Sequence, residues 1–322
     1  MSVKTKPAPP KSARKSLTLH RVRMNWQIYV MLIPVVAFYI VFSYVPMTGI
    51  VLAWKRFLAP KGIFGSPWAE WANFREFFSS PSVTRVIRNT VVLSLIKLVI
   101  KFPAPIIMAI LLNEVVHRRY KKGVQTIVYL PHFISWIIFG SIIQMLLNND
   151  DGVINNIVAA LGGSRHPFLS DPNWFYPVLL ISELIKDVGW GTIIYLAAIA
   201  GVDQGQYEAA KIDGAKRFQC IRHITIPSIL PTIVILLILE IGNIMNANFG
   251  SIYSLYNANV YSVADVIDTF VYRVGMGGGD RAPRYELATA VGLFKNVINV
   301  FLLVSGNLII KKITGYSMYV LD

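Results

Sequence analysis

The chain has 322 residues, 54% hydrophobic and 15% charged, with a formal net charge of +14; its mean hydropathy is +0.53. A soluble domain carries about 25% charged residues, so this composition excludes an ordinary soluble domain and points to an integral protein of the lipid bilayer. The basic groups sit in short blocks between apolar runs, the pattern of Lys and Arg that orients a membrane protein rather than a nucleic-acid footprint, and no nucleic-acid partner is expected.

In chain order, residues 1–26 form a basic tail rich in Pro, Ser and Lys. An uncharged run follows from Met24 to Trp54, too long for a signal-peptide core, which reads as a retained anchor helix. A membrane-crossing helix needs about 20 mostly apolar residues. Six segments meet or approach that length: 27–53, 89–114, 123–148, 174–200, 226–249 and 286–310. The expected fold is therefore all-α, with six transmembrane helices spread over 27–322. With the N-terminus inside, the inner segments (1–26, 115–122, 201–225 and 311–322) hold 17 Lys and Arg, and the outer segments (54–88, 149–173 and 250–285) hold 10. That bias places both termini in the cytoplasm. The outer loop 54–88 mixes Trp and Phe with charges, as a segment lying at the membrane surface would.

The first and third spans are free of charge, whereas the others are not. Lys97 and Lys101 share a helix face, as do Glu183 and Asp187, and Lys186 lies within pairing distance of Glu183. Glu240, Asn243 and Asn246 form a drifting polar line, and Lys295 and Asn299 share a face beside Asn296. An ionisable group at the bilayer centre costs about 2.5–3.5 kcal/mol on insertion scales, so such groups face a bundle interior or a wet cavity. Lys101, Glu183, Lys186, Asp187, Trp190, Glu240, Asn243, Asn246, Lys295 and Asn299 are the candidates to line a path for a hydrophilic solute. The competing reading is interhelical hydrogen bonding or snorkelling near span ends. Lys97 is the weakest candidate, because it falls closest to the outer interface. The lysines also hint at an anionic sugar, although Glu183, Asp187 and Glu240 could neutralise them.

Several chemistries find no motif. There is no GxxxxGK[ST], HExxH or GxSxG. The glycine-rich Gly275–Asp280 run lacks the last Gly of GxGxxG and reads as a turn. One cysteine, Cys220, excludes an intrachain disulfide and leaves a Cys-based metal cluster unsupported. No catalytic constellation, metal site or nucleotide site is expected in this chain.

Between the fourth and fifth spans lies a polar island, "EAAKIDGAKRFQCIRHITIP", Glu208 to Pro227. Helix formers at its start, Gly214 as a helix stop and a second amphipathic stretch predict helix, turn, helix across the cytoplasmic face. Pro227 suits the start of the next span. The island resembles the EAA motif of permease subunits of binding-protein-dependent ABC importers: Glu-Ala-Ala, Gly after three intervening residues, nine more residues, then Ile-x-Leu-Pro. Glu208, Ala209, Ala210, Gly214, Ile224 and Pro227 match, and Ile226 replaces the Leu. "WANFREFF", "RNTVVLSLIKLVIKFPAPIIMAILLNEV" and "YLPHFISWIIFGSIIQMLLNNDDGVIN" are similar to sugar-type permeases, the subgroup for oligosaccharides and fragments of alginate- or pectin-like polymers included.

The resemblance implies a type I importer transmembrane domain in a bacterial inner membrane. It implies four kinds of partner: a second homologous permease, two ATPase subunits that hold ATP and Mg, an extracytoplasmic solute-binding protein, and an oligosaccharide substrate. It also implies that the loop 201–225 is the ATPase-coupling element, with Glu208, Ala209, Ala210, Asp213, Gly214, Lys216, Arg217 and Phe218 as its contact residues. A stand-alone transporter driven by an ion gradient, using the buried carboxylates as ion sites, is the alternative.

Overall fold

The computed structural model describes residues 24–277 and 282–315. The basic tail up to residue 23 and part of the Gly275–Asp280 run lie outside the described residues. The twelve helices used below are α1 (Trp26–Tyr39), α2 (Ala72–Ser79), α3 (Val83–Ile100), α4 (Pro103–Glu114), α5 (Arg118–Tyr129), α6 (Trp136–Leu146), α7 (Pro172–Ala200), α8 (Gln204–Ile212), α9 (Ile226–Gly242), α10 (Phe249–Leu255), α11 (Ile267–Met276) and α12 (Tyr285–Thr314). Among the described residues helices dominate and one isolated β-bridge, Lys55 to Trp68, is the sole extended pairing.

Four stretches are long and apolar enough to cross a membrane: Trp26–Trp54, Val83–Glu114, Arg217–Gly242 and Tyr285–Thr314. The third expected span is broken within its length, and the fourth is one unbroken helix that turns just beyond its end. Arg118–Phe133 meets Trp136–Leu146 at 104°, and Pro172–Ala200 turns by 70° into Gln204–Ile212. The third span, clean in sequence, is thus the one most sharply broken. Pro131 sits in a 3₁₀ turn over Leu130–Phe133, Ile134 is extended, and Ser135 caps α6 by accepting from the Ile138 N–H.

Two prolines are absorbed differently. Pro46 and Pro227 each follow a π-helical turn, Ile40–Tyr44 and Ile221–Thr225. A helical proline ring clashes with the carbonyl four residues back, here Phe42 and His223, and the wider turn makes room for it. The island's second half is therefore not a separate helix on the cytoplasmic face. Arg217–Cys220 runs through the π turn into α9 as one 26-residue helix.

Breaks in a span free backbone groups that hydrocarbon cannot satisfy, and buried polar side chains meet them. The Lys186 ammonium donates to the carbonyls of Pro131 (3.1 Å), His132 (3.0 Å) and Ile134 and lies over the Trp136 ring. It does not pair with Glu183, contrary to the helix spacing, because the carbonyls of the break claim all three of its donors. Between α9 and α10 the chain unwinds over Asn243–Asn248, with Asn248 at φ +61°. The Asn299 Oδ1 accepts the Met245 N–H (3.0 Å), and the Lys97 ammonium donates to the Ala247 carbonyl (2.7 Å).

The outer segment after the first span is a small folded unit. Lys55 is buried and donates to the carbonyls of Phe64 (2.6 Å) and Ser66 (3.1 Å), and the Asn73 amide donates to those of Ala53 and Lys55. Trp68 and Trp71 remain exposed. Glu76 of α2 pairs with Arg284 at the head of α12. No residue of α1 is buried by the rest of the chain.

Removing the Lys186 ammonium orphans three carbonyls. Lys186→Met is expected to lower stability by about 2–3 kcal/mol in detergent-driven unfolding. The Arg284 guanidinium, bonding and attracting Glu76, holds its carboxyl below the ordinary glutamate range against a raising effect of burial. A depressed carboxylate stabilises above its unfolded value of about 4.3 and loses that contribution as pH falls through the lower folded value. Protease resistance of the α2 segment should therefore drop in that acid window, and Glu76→Gln should abolish the drop.

Candidate functional site

Two regions gather the residues singled out from the sequence. The first is a cavity of about 420 Å³ midway along the bundle, walled by α3, α7, α9 and the unwound 243–248 segment. Lys101, Glu183, Asp187, Trp190, Glu240, Asn243 and Asn246 all line it. The matched i, i+4 spacing of Lys97 and Lys101, at the C-terminal end of α3 and its cap, and of Glu183 and Asp187 on α7 builds its charged wall. Glu183 is fully buried and accepts from Lys97 (2.6 Å), Lys101 (3.2 Å) and the Ser251 hydroxyl. Lys101 bridges on to Asp187 (2.8 Å), whose other oxygen lies 3.6 Å from His132 Nδ1. The His132 ring stacks on Trp190, with centroids 4.6 Å apart.

Three residues of the expected path lie elsewhere. Lys186 is turned to the α5–α6 break, as described. Lys295 on α12 pairs with Asp268 of α11, and Asn299, one turn on, faces Met245. Both are structural contacts behind the cavity wall, made because α12 packs on α11 and on α9 rather than on the open side. Lys97, the weakest candidate from sequence, is instead central. It lies in the last turn of α3, near the middle of the apolar stretch Val83–Glu114, and lines the cavity, since that stretch begins at Val83 rather than at residue 89.

The four span lysines are all engaged: Lys97 and Lys101 with Glu183 and Asp187, Lys186 with carbonyls, Lys295 with Asp268. Three carboxylates face two ammonium groups in the cavity, and exposed Glu240 has no ion-pair partner among the described residues. No spare lysine charge points to an anionic solute. Sequence alone also passed over Ser251, His132 and Asn248. The complementary i, i+4 pairs on two spans were the signal for the clamp, whereas Ser251 and Asn248 are placed by an unwinding with no local mark beyond a cluster of Asn.

The second region is the loop beyond α7. Asp203 caps α8 by accepting from the Gly205 N–H (3.0 Å), and α8 carries Glu208, Ala209 and Ala210. Asp213 ends it, and Gly214 turns the chain at φ +79°, a conformation that side-chain-bearing residues rarely adopt. Lys216 starts the next helix, its N–H donating to Gln219 Oε1 (2.7 Å). Glu208, Asp213, Lys216, Arg217 and Phe218 are exposed, and Ile212 and Phe218 are left 87% and 71% exposed. Tyr207 ties α8 to the fifth span through Thr225 (2.9 Å).

A model of the family described as "binding-protein-dependent transport system inner membrane component" matches residues 101–315. The chain is 42% identical over 317 residues to protein LplB of Bacillus subtilis (strain 168), covering 98% of each chain. It is 40% identical over 309 residues to the polygalacturonan/rhamnogalacturonan transport system permease protein YteP of the same strain, covering 96% of this chain and 95% of that one. Its fold matches a chain in the crystal structure of a bacterial ABC transporter involved in the import of the acidic polysaccharide alginate, with a TM-score of 0.83 and 38% identity, covering 92% of this chain and 99% of that one. The same holds for a chain of a bacterial alginate ABC transporter in complex with alginate pentasaccharide-bound periplasmic protein, with a TM-score of 0.82 and 37% identity over 93% of this chain and 99% of that one.

The chain belongs to the binding-protein-dependent transport system inner membrane components: it is a multi-pass permease subunit of an ABC importer, not a stand-alone ion-driven transporter.

Removing one member of a buried ion cluster leaves an uncompensated charge, at a cost of about 3–5 kcal/mol. Glu183→Ala should therefore destabilise by that order in detergent-driven unfolding. Lys97→Met combined with Glu183→Gln should cost less than Glu183→Ala, because it removes the Lys97 charge that Glu183→Ala leaves uncompensated.

Proposed function

We propose that this permease forms, with a second homologous permease, the path for an oligosaccharide handed over by an extracytoplasmic solute-binding protein, and that two separate ATPase subunits drive it. The observation that carries this reading is the loop of α8 and Gly214. A rigid, capped helix projects from the end of the fourth span, turned by 70°, with Ile212 and Phe218 bare among charges. Bare apolar side chains on a polar loop are what a protein partner covers. The cavity suits a polyhydroxyl solute: amides, carboxylates and an aromatic ring converge in a space large enough for a saccharide unit.

ATP and its magnesium ion belong on the ATPase subunits in this assignment. The loop faces the cytoplasm of a bacterial inner membrane, as do both termini. Closure of the ATPases shifts α8 as a rigid body and alternates access between the membrane faces. Glu208 contributes the polar contact and Gly214 the turn. The names of the relatives, alginate and polygalacturonan among them, favour a uronate oligomer. The paired lysines mean that its charge is met outside the lysine clamp.

In the reconstituted complex, Gly214→Pro, which cannot adopt φ +79°, and Glu208→Lys should abolish saccharide-stimulated ATP hydrolysis while the permease still folds. Gly214→Asn, which tolerates a left-handed conformation, should retain most of it. Undiminished stimulation in the first two variants would overturn the assignment.

A further inference from the structure

Beyond the unwound 243–248 segment, on the side away from the α8 loop, lies a second cavity of about 330 Å³. Its wall includes Gln144, Asn148, Asn149 and Asn257, with Ser170 and Tyr256, and no charged residue. Between the unwound segment and the second cavity runs a row of aromatic rings on and after α10. Phe249 follows directly on Asn248, which lines the charged cavity. Its ring stacks on Tyr253 (centroids 5.0 Å), Tyr253 meets Tyr256 (5.8 Å), and Tyr256, which lines the second cavity, stacks on Tyr261 (5.3 Å). Tyr272 of α11 closes on both Phe249 and Tyr253.

We propose that this ring row and the amide-lined cavity form an outer saccharide subsite, holding sugar units of the oligosaccharide that extend beyond the charged cavity. The proposal rests on the oligosaccharide assignment above and adds a place and a chemistry to it. Three features select this occupant. First, the row begins at Phe249, directly after Asn248 of the charged cavity, and reaches the wall of the second cavity at Tyr256, so it spans the stretch between the two. Second, four of the five rings are tyrosines. A flat apolar face with a hydroxyl at its edge suits a pyranose, whose C–H face packs on the ring's electron-rich surface while its hydroxyls meet polar groups at the rim. Tyr253 and Tyr272 are partly exposed, and their hydroxyls lie 3.5 Å from one another. Third, the wall of the second cavity carries no charged residue among the described residues, and the nearest guanidinium to the ring row is already engaged. Arg273, which lies 5.3 Å over the Tyr261 ring, is clamped on buried Asp265 through contacts of 2.9 and 3.0 Å, and Arg85 bonds the same carboxylate. Recognition there works through amides and ring faces, so it registers the length of the sugar chain rather than its charge.

The test uses the complete complex in proteoliposomes, with saturating solute-binding protein, and compares uptake of a uronate disaccharide with that of a uronate pentasaccharide. Tyr253→Ala should slow pentasaccharide uptake about three- to tenfold, the range of a lost aromatic contact, and leave the disaccharide within about twofold. Tyr253→Phe should restore the pentasaccharide rate. Equal slowing of both sugars, which a purely structural or docking role would give, overturns the proposal, as does an unchanged pentasaccharide rate. Wild-type vesicles that import neither sugar would sink the oligosaccharide assignment along with it. Wild-type import of both, with no length-dependent effect of Tyr253→Ala, would sink the subsite alone.

Discussion

Hydrocarbon offers no hydrogen bonds, so each backbone group freed by a broken span must be met by the protein itself. That constraint organises this permease. The spans are interrupted at 130–135 and at 243–248, and a buried side chain reaches each interruption: Lys186 for the first, Lys97 and Asn299 for the second. The ion cluster of Lys97, Glu183, Lys101 and Asp187 is the hub. It holds α3 to α7, and through Ser251 and Ala247 it fixes the unwound segment that walls the cavity.

The same residues therefore do two jobs that sequence reading treats as rivals, lining a polar space and bonding helices together. Lys97 and Glu183 do both. Lys186 and Asn299 serve backbone only, and Lys295 serves Asp268. Spacing along one helix shows which charges share a face, not what lies opposite. That information resides in contacts such as Lys97 with Glu183, 86 positions apart in sequence.

What was legible followed local physics. Apolar length located all six spans, and fixed letters at fixed spacing located the α8 loop, including the glycine that turns it. What was not legible depended on distant partners. The break at 130–135 hides in a run with no charge, because the ammonium that sustains it comes from α7. The continuous helix from Arg217 into α9 hides behind Pro227, because a π turn accommodates the ring. The tyrosine row is scattered over 24 positions of sequence, from Phe249 to Tyr272, and becomes a surface only once α10 and α11 are packed.

Gly189 on α7 sits so close to α5 that an added Cβ would overlap the Val128 carbonyl. One turn away, Lys186 grips the break that follows α5. Two contacts of this kind, a bare backbone approach and an ionic grip, leave α7 no freedom to slide against the third span. Since α7 passes into α8 through only three residues, the two spans form a single lever arm, with the loop at one end and the charged wall part-way along it. Under the proposed coupling role of the loop, a tilt delivered there would reach both the carboxylates of α7 and the His132–Trp190 stack together, and the cavity wall would change shape as one piece.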